Sequence, residues 1–129
     1  MSFDVFAQRF VGGKPADADG QVLRALIAPH LGRVEPETRF AELIFEDGTA
    51  DLYSDDEPGT GFMVNHVSGR RAWDLIARVA AAGEMALFAP GVPTLIFSEA
   101  ARAHLPAELA DGAVVVASGA DILRAIADG

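Results

Sequence analysis

The chain of 129 residues contains no cysteine, and only one lysine, one tryptophan and one tyrosine. The missing cysteines exclude disulfides, thiolate metal sites and cysteine nucleophiles together, and match a reducing compartment. Lys14 follows Gly12 and Gly13 but has no Walker pattern around it, so it offers no phosphate-binding loop. No stretch approaches the roughly 18 to 20 uninterrupted apolar residues of a membrane-spanning helix. The opening "MSFDVFAQRF" lacks the basic start and long apolar segment of a signal peptide. These absences predict a cytoplasmic protein with no membrane partner. Histidine is scarce and scattered: His30, His66 and His104 show no paired-ligand spacing, and "DGTADLYSDDE" lacks the order of an EF-hand loop. No metal and no cofactor are expected.

Half the residues are apolar, enough for the core of one domain spanning residues 1–129. The net charge of −9 is unevenly placed. Between Glu35 and Glu57 nine acids (Glu35, Glu37, Glu42, Glu46, Asp47, Asp51, Asp55, Asp56 and Glu57) face one base, Arg39. Nearly all of the net charge therefore sits in one segment. Such a field repels a phosphate backbone and attracts a basic protein, so no nucleic-acid partner is expected. The competing reading is that the acids only keep a small domain dissolved.

Patterning supplies the elements. "SFDVFAQRF" reads as a strand with apolar residues on both sides, and "VGGKPADADG" as a loop. Val22, Leu23, Leu26, Ile27 and Leu31 fall at helical spacing, with Asp17 or Asp19 as N-cap, Pro29 as a distortion or an end of the helix, and Gly32 as a natural stop. "RFAELIFEDGTADLYS" predicts a hairpin turning on Asp47-Gly48, since a type I′ turn needs positive φ at both central residues. One face of that hairpin then holds Ala41, Leu43, Phe45, Ala50 and Leu52. The other collects Glu42, Glu46, Asp51 and Tyr53. "FMVNHV" is a further antiparallel strand, and Ser68 caps a helix over 69–82 with Trp73, Leu75, Ile76 and Val79 in its buried stripe. "EMALFAP" and "PTLIF" flank a Pro-containing turn, and Ser98 opens a short helix. "AVVVA" reads as a buried strand before a helix capped by Ser118 and Asp121. The alternation of strands and amphipathic helices predicts an α+β two-layer sandwich, a mostly antiparallel sheet with helices packed on it, close to an elaborated ferredoxin-like arrangement with one strand too many.

Two short stretches could carry chemistry. In "MVNHV" strand alternation puts Phe62, Val64 and His66 on one face and Met63, Asn65 and Val67 on the other, so either face carries a polar residue near the strand end. Asn65 or His66 could line a pocket there, or could be a core residue bonded to neighbouring backbone. "VSGRR" begins a helix, where free N–H groups and the dipole favour an anion. Ser68, Arg70 and Arg71 could hold a phosphate or carboxylate, or could be an ordinary cap and two arginines paired with nearby acids. "VVVASGADILRAIA" repeats the Ser-Gly-helix construction, which favours the capping reading. Ser68 and His66 are close in sequence, but no Gly-x-Ser-x-Gly elbow accompanies them.

With "MSFDVF" at one end, "MVNHVSGRRAWDL" in the middle and "ARAHLPAEL…VVVASGADILRAI" at the other, nearly the whole chain resembles a loose group of small bacterial proteins. That resemblance brings no activity and assigns no catalytic residue. The residues themselves favour a non-catalytic protein-binding or regulatory module that engages a basic protein through Glu42, Glu46, Asp51 and Tyr53. The alternatives are a small-molecule, anion-binding or hydrolytic site built from Asn65, His66, Ser68, Arg70 and Arg71, and a self-associating domain using an apolar edge near "PGVPTLIF".

Overall fold

A computed structural model describes residues 3–54 and 58–128. Asp55, Asp56 and Glu57 of the acidic segment lie outside the described residues.

Strand β1 (Val5–Val11) turns on Gly12 and Gly13, at φ 59° and 81°, into β2 (Lys14–Ala16), with Val11 opposite Lys14. The stretch expected to be a loop is therefore a tight hairpin, and its two glycines supply the positive φ that such a turn requires. Asp19 caps α1 (Gly20–Ile27), its side chain accepting from the N–H groups of Gln21 and Val22. A single 3₁₀ turn holding Pro29 ends that helix, and the chain extends at Leu31 into β3 (Leu31–Glu35). Of the two roles expected for Pro29, ending the helix is the one realised, so Leu31 falls outside it and Gly32 is not its stop. Gly32 instead lies within β3, where an added Cβ would meet Ile44 Cδ1 at 2.5 Å and Glu42 Oε1 at 2.9 Å. The glycine lets the Ile44 and Glu42 side chains lie close over β3, and does not end a helix.

The acidic hairpin forms from β4 (Phe40–Phe45) and β5 (Gly48–Ser54). Its register pairs Phe45 with Gly48, Leu43 with Ala50, Glu42 with Asp51, Ala41 with Leu52 and Phe40 with Tyr53. The turn residues are thus Glu46 and Asp47, one position before the expected Asp47-Gly48. Each pairing moves by two residues, so the faces survive the correction. Leu43, Ala50 and Leu52 are buried together, and Glu42 still shares the opposite face with Asp51 and Tyr53.

Next come β6 (Phe62–Asn65), α2 (Arg71–Ala82), β7 (Met85–Ala89), β8 (Val92–Ile96), α3 (Ala107–Ala110), β9 (Val114–Val115) and α4 (Gly119–Asp128). A 3₁₀ segment, Glu99–His104, opens on the Ser98 cap, whose hydroxyl oxygen accepts from the Ala101 N–H. The sheet runs β3-β4-β5-β6-β1-β7-β8-β9, with β2 paired to the far end of β1. Every pair is antiparallel except β8 with β9. The fold is α+β, and its centre has the two split crossovers of a ferredoxin-like sheet. α2 joins the parallel strands β6 and β7 across β1, and α1 lies in the connection from β1 to the parallel strand β5 across β6, with the remaining strands as elaborations.

The inner sheet face buries Val5, Ala7, Val64, Met85 and Leu87 against Leu23 of α1, the Trp73–Ile76–Val79 stripe of α2 and Ile122 of α4. On the outer face a second cluster (Ala86, Ile96, Leu105 and Ala113) forms where residues 99–113 fold back over β7 and β8. "AVVVA" contributes two paired residues only. Val114 and Val115 are exposed and Val116 is buried, so the run crosses the edge of the core and does not run through it. β9 pairs with Leu95 and Ile96 of β8, both buried, so the C-terminal part of "PGVPTLIF" is covered by a further strand. No helix among the described residues is long and apolar enough to cross a membrane.

Candidate functional site

The "VSGRR" junction is built around an anion from the protein itself. The Asp47 carboxylate accepts from the N–H of Arg70 at 2.8 Å and of Arg71 at 3.3 Å. These are donors left unpaired at the start of α2, and the helix has no side-chain cap of its own. Ser68 does not cap α2. Its hydroxyl accepts from the Thr49 N–H at 2.9 Å and its own N–H donates to the Thr49 carbonyl at 2.8 Å. The hairpin tip is thereby clamped to the helix. Gly48 lies so close to the Ser68 carbonyl that an added Cβ would collide with it, and Gly69, at φ 84°, would collide with the Asp47 carbonyl at 2.6 Å. Arg71 closes the clamp with Glu46 at 3.2 Å. The Arg70 N–H bond holds the Asp47 carboxyl below its ordinary range; desolvation opposes this and the Arg71 N–H supports it.

Asn65 and His66 belong to a different arrangement. Asn65 Nδ2 donates to Asp4 Oδ1 at 3.1 Å, which leaves its Oδ1 to accept. His66 Nδ1 lies 3.0 Å from that Oδ1 and 3.1 Å from Asp51 Oδ2. Both neighbours are acceptors, so Nδ1 carries the proton. His66 sits at φ 49°, in the left-handed region, and its side chain is 61% exposed. The positive φ ends the strand and turns the imidazole back over Asp51. Neither residue is a core polar group: Asn65 is half-buried and His66 exposed.

Cross-strand register sets these groups in a larger pattern. Glu42, Asp51 and Asn65 lie side by side across β4, β5 and β6, and Asp4 extends the row through its bond to Asn65. A neighbouring row on the same face is apolar: Phe40 opposes Tyr53, Tyr53 opposes Met63, and Met63 opposes Phe6. Phe40 and Tyr53 are in ring contact at 5.5 Å, and the Arg33 guanidinium stands 5.4 Å from the Phe40 ring at the outer edge. The described helices α1, α2 and α4 pack on the opposite face. Phe6 and Ile44 are accordingly 48% and 49% exposed.

The structure thus brings Glu42, Asp51 and Tyr53 onto one surface and joins Asn65 and His66 to its margin. Glu46 is separated from them, committed to the helix clamp with Arg71. Ser68, Arg70 and Arg71 are likewise clamp residues, bonded to Thr49, Asp47 and Glu46. Phe40, Met63, Phe6 and Asp4 were missed as surface residues. The signal for Phe6 was the imperfect alternation of "SFDVFAQRF", apolar on both faces of one strand. Among the described residues no group of three or more His, Asp or Glu side chains converges as a metal site would require. No family model matches the chain, and no curated protein or solved structure matches it.

Proposed function

We propose that this protein is a non-catalytic binding or regulatory module whose recognition surface is the outer face of β4, β5 and β6. The observation that supports it is the pair of adjacent rows, acidic Glu42–Asp51 beside apolar Phe40–Tyr53–Met63–Phe6. Phe6 is exposed and Phe40, Tyr53 and Met63 are half-buried; covering their remaining apolar surface supplies affinity, and flanking carboxylates choose the sign of the partner's charge. The partner is a segment of a basic protein that lays an apolar anchor on the aromatic row and places Lys or Arg over the carboxylates.

Affinity capture with the wild-type chain and with Glu42→Lys/Asp51→Lys and Phe6→Ser variants tests this reading. A partner of this kind is lost with both variants and retained by an Arg78→Glu control on the exposed side of α2. Retention of the same partner by both outer-face variants removes this surface from the account.

The Asp51–His66 pair favours a second reading, a ligand site at the strand end. A carboxylate that orients a histidine is the usual support of a general base or a hydrogen-bonding imidazole. Ser68 does not complete a catalytic set with it, because its hydroxyl is bonded to Thr49. On this reading His66→Gln weakens ligand binding and leaves protein capture unaltered, an outcome that separates the two.

A further inference from the structure

At the end of the sheet remote from the acidic hairpin, a cavity of about 370 Å³ opens between β1, the C-terminus of α2 and the 3₁₀ segment that follows β8. Its apolar lining includes Phe10, Met85 and Phe97, and its polar lining is Arg9, Glu84, Ser98 and His104. The volume falls in the range of small-molecule sites, about 300–1,000 Å³. Several elements are fastened together around it. The Gly12 N–H donates to His104 Nδ1 at 3.2 Å and the Gly13 N–H to the His104 carbonyl at 2.9 Å, so the glycine turn of β1–β2 fixes the imidazole. Arg9 is fixed by the Asp17 carbonyl, 2.9 Å from Nη1.

The hydrogen-bonding state of each polar group then determines what it can offer. His104 Nδ1 accepts from Gly12, so the neutral ring carries its proton on Nε2 and presents a donor. Ser98 Oγ accepts from the Ala101 N–H at 3.3 Å, which leaves the hydroxyl hydrogen to donate. Arg9 Nη2 meets Glu84 Oε2 at 3.3 Å, but the Glu84 side chain is 72% exposed and the contact is a long one. Such an exposed pair is weak and readily exchanged for a better acceptor. Three groups able to donate therefore belong to the lining of this cavity, with one replaceable carboxylate among them.

We propose that this cavity binds a small carboxylic acid with an apolar body. The body rests on Phe10, Met85 and Phe97, and the carboxylate takes the place of Glu84 on Arg9 while accepting from His104 and Ser98. A guanidinium–carboxylate contact inside a partly enclosed site is stronger than the same contact in open water. The site is independent of the outer-face surface, and neither reading depends on the other.

The test is amide-resolved NMR titration of the full chain at neutral pH with phenylacetate and hexanoate, each against its uncharged amide, phenylacetamide and hexanamide. The carboxylates are expected to shift the amides of Gly12, Gly13 and Ala101, and to bind at least tenfold more tightly than the amides. Arg9→Gln abolishes that preference. Glu84→Gln, a change at an exposed side chain, removes the internal competitor and tightens carboxylate binding severalfold. Equal binding of acid and amide, shifts that map elsewhere, no binding at millimolar concentration, or a Glu84→Gln variant that binds no better would each overturn the proposal.

Discussion

The Asp47 carboxylate holds two backbone N–H groups of a helix that begins more than twenty residues later. Its depressed pKa gives the contact a pH signature. A carboxyl whose folded value lies below its unfolded value, about 3.9 for aspartate, stabilises the fold at higher pH and loses that contribution as pH falls through the folded value. Asp47→Ala is therefore expected to be less stable than wild type at pH 7 and to lose stability less steeply below about pH 4. Urea unfolding at a series of pH values measures both. Identical pH profiles would show that the clamp contributes nothing through this charge. Asp121, lowered chiefly by the Ala117 N–H, and Glu99, lowered chiefly by Arg102, add acid sensitivity of the same sign. Beside Asp47, Gly48→Ala drives a methyl into the Ser68 carbonyl and is expected to cost about 1–3 kcal/mol, the usual range for overpacking. A denaturation midpoint unchanged by this substitution would mean that the clamp opens freely. Residue-level chemistry was only partly legible in the sequence. The cationic first turn of "SGRR" announces a need for an anion, yet nothing local names Asp47 as its source, because the two meet only once the hairpin is folded.

At the scale of elements, local grammar read well wherever the controlling contact was also local. Asp19 caps α1, Ser98 its 3₁₀ segment, and Ser118 with Asp121 the start of α4, where Ser118 Oγ accepts from the Asp121 N–H and Asp121 from the Ala117 N–H. The reading failed where a tertiary contact decided. Gly32 resembled a helix stop but accommodates Ile44, and "DG" resembled a type I′ turn although Gly48 is required by Ser68. The genuine positive-φ turn was Gly12-Gly13, concealed by the polar sequence after it. The two sheet faces can be told apart by paired substitutions. Ile122→Ala removes a side chain buried between α4 and the sheet, and is expected to cost about 2–5 kcal/mol. Ile44→Ala, on the outer face and 49% exposed, is expected to stay within about 0.5 kcal/mol. Chemical denaturation of both variants checks the assignment, and a large loss at Ile44 would mean that the outer face is covered.

Across the whole molecule, a single sheet separates two kinds of surface. Among the described residues, its inner face is consumed by α1, α2 and α4, and its outer face is covered over β7 and β8 by residues 99–113 but carries no helix over β4, β5 and β6. Composition revealed the acidic segment, and strand alternation placed Glu42, Asp51 and Tyr53 on one face but included Glu46 with them. The folded register sets Glu42 directly against Asp51 and draws Glu46 away to Arg71. An aromatic row beside a carboxylate row is the arrangement that a basic amphipathic partner would fill. The most direct test is amide-resolved NMR titration of the full chain with a short alternating Lys–Leu peptide, at low and at high salt. The account predicts shifts concentrated in residues 40–54 and 62–66 and in Phe6, weakened by salt and absent from the Glu42→Lys/Asp51→Lys variant. Shifts centred on α2 or α4, or binding that survives the double charge reversal unchanged, would contradict it.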